Sequence, residues 1–248
     1  MLRIGRIPYL NCEPFFHRLS GVELVDLIPR RLGEAMAAGE LDAGPLSLMD
    51  YVRLESRLVP LPYGIGCPTS ARSVLVFSER PLAELAGARI GVTRETSTSV
   101  ELLRVLLALR YEVEPAAWVG PDEPCDAQLL IGDQAIRRVT GGPPARHVAD
   151  LAVDWRDWTG LPFVFARWAV AARVSARERR RFESALDEAL DRGLDALPAI
   201  AATRRDLGWS GVQVESYLRN FAFRLGPDEE KGAAEFIRLR AQIGPSLC

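Results

Sequence analysis

Histidine and lysine are nearly absent from this 248-residue chain: His17 and His147 are its two histidines, and Lys231 is its single lysine against 30 arginines. So few imidazoles exclude most zinc sites and most histidine acid–base mechanisms, and one lysine leaves almost no Schiff-base chemistry. The arginine excess reads as a coding bias. No uninterrupted apolar run reaches the roughly 18 residues a membrane span needs. The opening stretch, MLRIGRIPYLNCEPFF, lacks a long apolar region and a small-residue cleavage site, which predicts a cytoplasmic protein. Four cysteines (Cys12, Cys67, Cys125, Cys248) are scattered without a CxxC spacing and read as free thiols. A formal net charge of −2 offers no basic surplus for nucleic acid or an anionic membrane. The arginines at 177 and 179–181 alternate with Glu178, Glu183, Asp187 and Glu188, the pattern of a solvated helix face.

Apolar residues make up 48% of the chain and charged residues 26%, proportions of a globular protein long enough for two lobes. The first half alternates β-rich runs with helical segments, which predicts an α/β fold. Strands are expected at 3–7, 22–28, 41–43, 58–62 and 73–77, with helices over 12–19, 30–38 (stopped by Gly39) and from Pro45 through Leu54. A second unit begins after Gly87, with strands at 88–93 and 127–131. Its first helix ends near Leu109 and buries Val100, Leu103 and Leu107. A helix opens at Gly132, and Gly141-Gly142-Pro143-Pro144 is a turn. A long apolar strand at 163–172 carries the chain back, and from Ser175 onward the pattern is helical. The expected division is residues 1–86 with 168–248 as one lobe and 87–167 as the other, with a ligand cleft between them.

Polar residues cluster where these strands turn into helices, the ligand-binding ends of an open α/β sheet. Tyr9-Leu10-Asn11-Cys12 follows the first strand, and Asn11 can both donate and accept; an ordinary helix cap is the equal alternative. Gly44-Pro45-Leu46-Ser47 reads on its own as a proline-initiated helix carrying a serine. Thr96-Ser97-Thr98-Ser99 places four hydroxyls before an amphipathic helix, more than a cap requires, and suits a carboxylate or phosphate. Without the glycines and lysine of a P-loop it is not one. Asp133, in Ile131-Gly132-Asp133-Gln134, either contacts a substrate or caps its helix. Phe163 and Phe165 share a face, with at least one of them in the core. The lone histidines read as packing or surface residues.

Taken together these stretches resemble the chorismate dehydratase family of the futalosine route to menaquinone. The resemblance rests on Ile4-Gly5-Arg6-Ile7-Pro8-Tyr9-Leu10-Asn11-Cys12-Glu13-Pro14-Phe15, Leu41-Asp42-Ala43-Gly44-Pro45-Leu46-Ser47, Gly66-Cys67, the 96–99 run, Leu130-Ile131-Gly132-Asp133-Gln134-Ala135 and residues 158–166, in that order. It covers roughly residues 3 to 170. It implies a two-lobed fold of the periplasmic-binding-protein type II class, a two-strand hinge, a small-molecule substrate with two carboxylates, and loss of water with no cofactor and no metal. The expected substrate-binding residues are Tyr9, Ser47, Cys67, Ser70, Arg72, Ser73, Thr96, Ser97, Thr98, Ser99 and Phe165, and the expected catalytic residues Asn11 and Asp133. One carboxylate would sit at 96–99, the other near Ser47 and 66–73, with Arg72 as a cation. The proton acceptor is either Asp133, Glu13 or the substrate's own enolpyruvyl carboxylate. The sister 1,4-dihydroxy-6-naphthoate synthase and a non-catalytic binding module for an organic acid are the alternatives. Oligomeric state is not legible.

Overall fold

The alternating apolar runs become strands of two separate sheets. The computed structural model describes residues 1–245; Cys248 lies outside them. The first sheet contains β1 (Leu2–Arg6), β2 (Val22–Asp26), β3 (Ala43–Ser47), β4 (Leu58–Cys67), β10 (Phe163–Ala171) and β11 (Ala222–Arg224), in the order β11-β4-β10-β3-β1-β2. The second contains β5 (Val74–Ser78), β6 (Arg89–Val92), β7 (Ala117–Val119), β8 (Ala127–Ile131) and β9 (His147–Asp150), in the order β7-β6-β8-β5-β9. β1 pairs in parallel with both β2 and β3, so crossovers must connect them; α1 (Glu13–Phe16) and α2 (Pro29–Ala38) provide these. Gly39 ends α2 in the left-handed region, φ 76°.

The chain leaves the first sheet after Cys67 and re-enters it at Phe163, and these two residues are direct register partners. Both crossings therefore leave the first sheet from neighbouring strands, and the sheets face each other across a cleft. This is a two-lobed α/β architecture with a helical C-terminal segment: α7 (Ala176–Asp195), α8 (Leu197–Thr203), α9 (Gly211–Arg219) and α10 (Pro227–Arg240). Ser175 and Ser210 cap α7 and α9 by accepting from the N–H groups of Glu178 and Gln213. The segment does not pack on the first sheet alone. Arg240 of α10 pairs with the fully buried Glu101 of α4 (Thr98–Val105), which also takes Arg104 at 2.8 Å. Edge-to-face aromatic contacts fill the core, with Phe15 against Trp168 and Phe223, and Trp155 against Phe163 and Phe236.

Three sequence expectations change. The strand expected at 41–43 is Ala43–Ser47, and no helix opens at Pro45. All five residues are buried between β1 and β10, and that burial overrides the local preference of proline to start a helix. Helix α3 (Leu48–Leu54) begins instead at a Ser47 cap. Val74–Ser78, placed with the first lobe by the division at Gly87, pairs with β8 and β9 of the second sheet. β7, β9, β11 and α6 (Leu151–Thr159) were not expected; the strands among them are only three or four residues long, too short to establish a period. Among the described residues no helix is long and apolar enough to cross a membrane.

Candidate active site

The cleft holds a cavity open to solvent, with about 520 Å³ of empty space when its open mouth is included. Its walls come from Ile7, Tyr9, Asn11 and Cys12 after β1, Pro29, Ser47, Ile65, Ser73 and Val74, Thr96 to Ser99 at the start of α4, Ile131 and Gly132 at the end of β8, and Phe165 and Ala166 of β10. Nine of the thirteen residues expected at the site thus meet on one surface: Tyr9, Asn11, Ser47, Ser73, Thr96, Ser97, Thr98, Ser99 and Phe165. No charged side chain is among the lining residues.

Asn11 lies in a three-residue 3-10 turn, Leu10–Cys12, and caps nothing: the cap position of α1 is Cys12, with no side-chain bond. Its Oδ1 is buried and has no hydrogen-bond partner. A buried carbonyl left unpaired costs about 1–3 kcal/mol, so the position calls for a donor. Beside it the Tyr9 ring lies against Gly132, where a Cβ would stand 2.6 Å from the ring. Gly132 also has φ +55°, so glycine is required twice over. The Tyr9 hydroxyl donates across the cleft to Glu95, which Gln134 Nε2 also bonds at 2.6 Å. Burial pushes the Glu95 carboxyl above its ordinary pKa, with the Gln134 bond opposing.

The hydroxyl residues are partly committed within the protein. Ser47 Oγ donates to Asp50 at 2.7 Å and accepts from the Asp50 N–H at 3.2 Å. Ser97 bonds the same carboxylate, whose pKa burial raises against the lowering effect of Ser47, Arg53 and Ser97. Thr96 Oγ1 caps the N–H of Ser99 at 3.1 Å, and Thr98 Oγ1 accepts from the N–H of Met49 at 3.0 Å. The run therefore caps α4 and joins the two lobes as well as lining the cavity. Ser73 Oγ lies 2.8 Å from the Tyr217 hydroxyl. Phe165 is half-buried on the wall, and its partner Phe163 is fully buried, 4.7 Å away between centroids.

Four expected residues stand off the cavity wall. The Arg72 guanidinium lies over the Trp209 ring at 4.9 Å, its chain turned there by φ 55° and by two N–H bonds from Ala71 and Arg72 to Asp150. Cys67 is buried at the end of β4, its thiol pushed up to about 12 by burial. Ser70 is half-buried, and its carbonyl accepts from Asn220. Asp133 is buried and is not the cap of its helix, α5 (Gly132–Gly141). It accepts the N–H of Leu10 at 3.0 Å and pairs with Arg204. Sequence reasoning missed Glu95, Asp50 and Arg204. Glu95 was the findable one, adjacent to the hydroxyl run; Arg204 sits in an arginine-rich helical region with nothing local to mark it. Glu13 is raised by burial, with Arg204 and Arg6 opposing. Both histidines are half-buried and away from this wall. No group of three or more metal-ligating side chains occurs among the described residues.

A family model described as menaquinone biosynthesis matches residues 2–242. The chain belongs to this menaquinone biosynthesis family. A chorismate dehydratase of Thermus thermophilus is 31% identical, with 94% of this chain and 93% of that protein covered. Another, from Campylobacter jejuni, is 25% identical over 66% of each. Among solved structures, a protein of Archaeoglobus fulgidus superimposes with a TM-score of 0.79 at 17% identity, covering 97% of both chains. The periplasmic aliphatic sulphonate binding protein of Escherichia coli gives 0.67 at 17% identity, covering 97% of this chain and 85% of that one. The menaquinone-family chain thus has a fold like that of periplasmic binding proteins.

Proposed function

We propose that this chain is a chorismate dehydratase, eliminating water from chorismate to give 3-[(1-carboxyvinyl)oxy]benzoate. The C3 proton and the C4 hydroxyl depart as water, and aromatisation of the ring supplies the driving force. The observation that carries the site assignment is the unpartnered Asn11 Oδ1 on the cavity wall. An acceptor there needs a donor, and of the groups on chorismate only the C4 hydroxyl offers a proton; the two carboxylates and the enol ether only accept. Asn11 accordingly orients the leaving hydroxyl.

Ser47 has its proton committed to Asp50, which disfavours a substrate carboxylate beside it, and Arg72 is turned away. One carboxylate faces the first turn of α4, where the helix dipole supplies the positive potential the uncharged walls lack. Asp133 has one oxygen on Leu10 and the other on Arg204, and it does not line the cavity. With no acid among the wall residues, the proton acceptor is the substrate's own enolpyruvyl carboxylate, held beside C3; it passes that proton to the C4 oxygen as the C4–O bond breaks, so that water leaves and the carboxylate is restored. The protein contributes orientation and exclusion of water.

The test is to incubate the purified chain with chorismate and follow formation of the aromatic product by its ultraviolet absorbance. Turnover, lost in Asn11→Ala with substrate binding retained, is the expected result. Binding of chorismate without turnover would make the chain a non-catalytic receptor for an organic acid. Full kcat in Asn11→Ala would remove the role given to Asn11.

A further inference from the structure

We propose that Asp133 and Arg204 form a positioning pair for Asn11, so that an arginine from the helical C-terminal segment governs turnover without lining the cavity. The inference rests on the assignment of Asn11 to the substrate hydroxyl. One peptide plane carries it. The Tyr9 carbonyl accepts the Cys12 N–H at 3.0 Å, and the Leu10 N–H of the same plane donates to Asp133 Oδ1 at 3.0 Å. The plane that opens the turn is therefore held at both ends, and Asn11 is the central residue of that turn. Leu10 is fully buried, so without Asp133 its N–H has no water to replace the bond.

Asp133 is itself held. Its Oδ2 takes Arg204 Nη2, while Arg204 Nε reaches Asp206 at 3.2 Å. Arg204 Nη1 is buried, makes no hydrogen bond, and stands 3.6 Å from Glu13 Oε1. The guanidinium thus meets Asp133 from the second lobe and Glu13, the residue immediately after the turn, from the first. It fixes the orientation of the carboxylate that fixes Leu10. Each Asp133 oxygen takes one hydrogen bond in this way, which suits holding the turn, and Asp133 does not line the cavity. Arg204 and Asp133 act through Asn11.

The test uses the full chain with Asp133→Asn, Asp133→Ala, Arg204→Gln and Arg204→Lys. Three quantities are read: kcat and KM with chorismate, amide hydrogen exchange at Leu10, and thermal unfolding. Asparagine keeps an acceptor for Leu10 but turns an amide NH2 toward Arg204, so Asp133→Asn should cost less in kcat than Asp133→Ala, within the up to about a hundredfold that a turn displaced by about 1 Å costs. Asp133→Ala and Arg204→Gln should lower kcat by about ten- to a hundredfold, with KM changed less than about threefold and faster exchange at Leu10. Arg204→Lys should recover most of the Arg204→Gln loss. The double variant Asp133→Ala/Arg204→Gln should be no worse than the poorer single variant.

Equal losses in Asp133→Asn and Asp133→Ala with unchanged exchange at Leu10 would overturn the proposal in favour of proton transfer by Asp133. Unchanged kcat and unchanged exchange in Arg204→Gln would also overturn it. Should Asp133→Ala not fold, the two Arg204 variants decide the matter alone. If the unmodified chain does not turn over chorismate, the dehydratase reading fails. Leu10 exchange in Arg204→Gln then still decides whether the pair holds the turn.

Discussion

Gly132→Ala offers the most direct check on how the cavity wall is built. Two costs separate cleanly. The backbone at 132 is left-handed, φ +55°, which costs an alanine about 1–2 kcal/mol. Its new Cβ would also lie 2.6 Å from the Tyr9 ring, which is 8% exposed and tied through its hydroxyl to Glu95. The ring must shift, an overpacking cost of about 1–3 kcal/mol. Gly39→Ala is the control: φ is +76° there, but nothing lies within 4 Å of the added Cβ. The loss of chain entropy in the unfolded state is common to both changes and cancels in the comparison. Urea unfolding should therefore show Gly132→Ala destabilised by about 2–5 kcal/mol and Gly39→Ala by about 1–2. In a domain of this size each kcal/mol corresponds to about 2–4 °C in Tm. Adding Tyr9→Ala to Gly132→Ala should remove the collision term, and KM for chorismate should rise in Gly132→Ala because Tyr9 lines the cavity. Equal destabilisation of the two glycine variants, or no relief from Tyr9→Ala, would refute the reasoning.

The uncharged wall predicts that KM rises no more than about fivefold between 50 mM and 500 mM salt, since the positive potential that salt screens there is the α4 dipole, worth about 0.3–1 kcal/mol; steady-state kinetics across a salt series checks this. Glu101→Gln breaks a fully buried carboxylate away from Arg104 and Arg240, and thermal unfolding should show a loss of about 3–5 kcal/mol. Asp50 has a folded pKa raised by burial, so the folded state holds a proton that the unfolded state has already released. Its contribution to stability is therefore fully present below the ordinary value of 3.8 and is lost as pH rises through the raised value. The stability of the unmodified chain relative to Asp50→Asn should grow as pH is lowered from 7 towards 4 in urea unfolding, and a difference that shrinks would contradict the assignment.

Much of the cavity was legible because α/β topology itself places strand-to-helix turns on one side of a sheet. Tyr9, Asn11, Ser47 and the 96–99 run each occupy such a turn, so local pattern was enough to bring them together. Arg72 follows no such rule. Its direction is set by φ 55° and by the Asp150 carboxylate, neither of which has a local mark in the sequence. Pro45 misled for a related reason: it reads as a helix start, but the strand is flanked by β1 and β10, which lie far from it along the chain.

The amino-acid sequence by itself determined the alternation of strands and helices, the turns where a ligand would sit, and a chemistry with almost no histidine or lysine. These depend on neighbours within a few residues, through hydrophobic period, turn residues and capping. The tertiary structure alone decided which polar groups face the cavity with bonds to spare. Asp133 and Arg204, 71 residues apart, bind each other, and Ser47 and Ser97 turn to the same buried carboxylate. Asn11 Oδ1 is left without a partner. Hydrogen-bond satisfaction in a buried cleft is a property of groups that meet only after folding, and the role proposed for Asn11 rests on it.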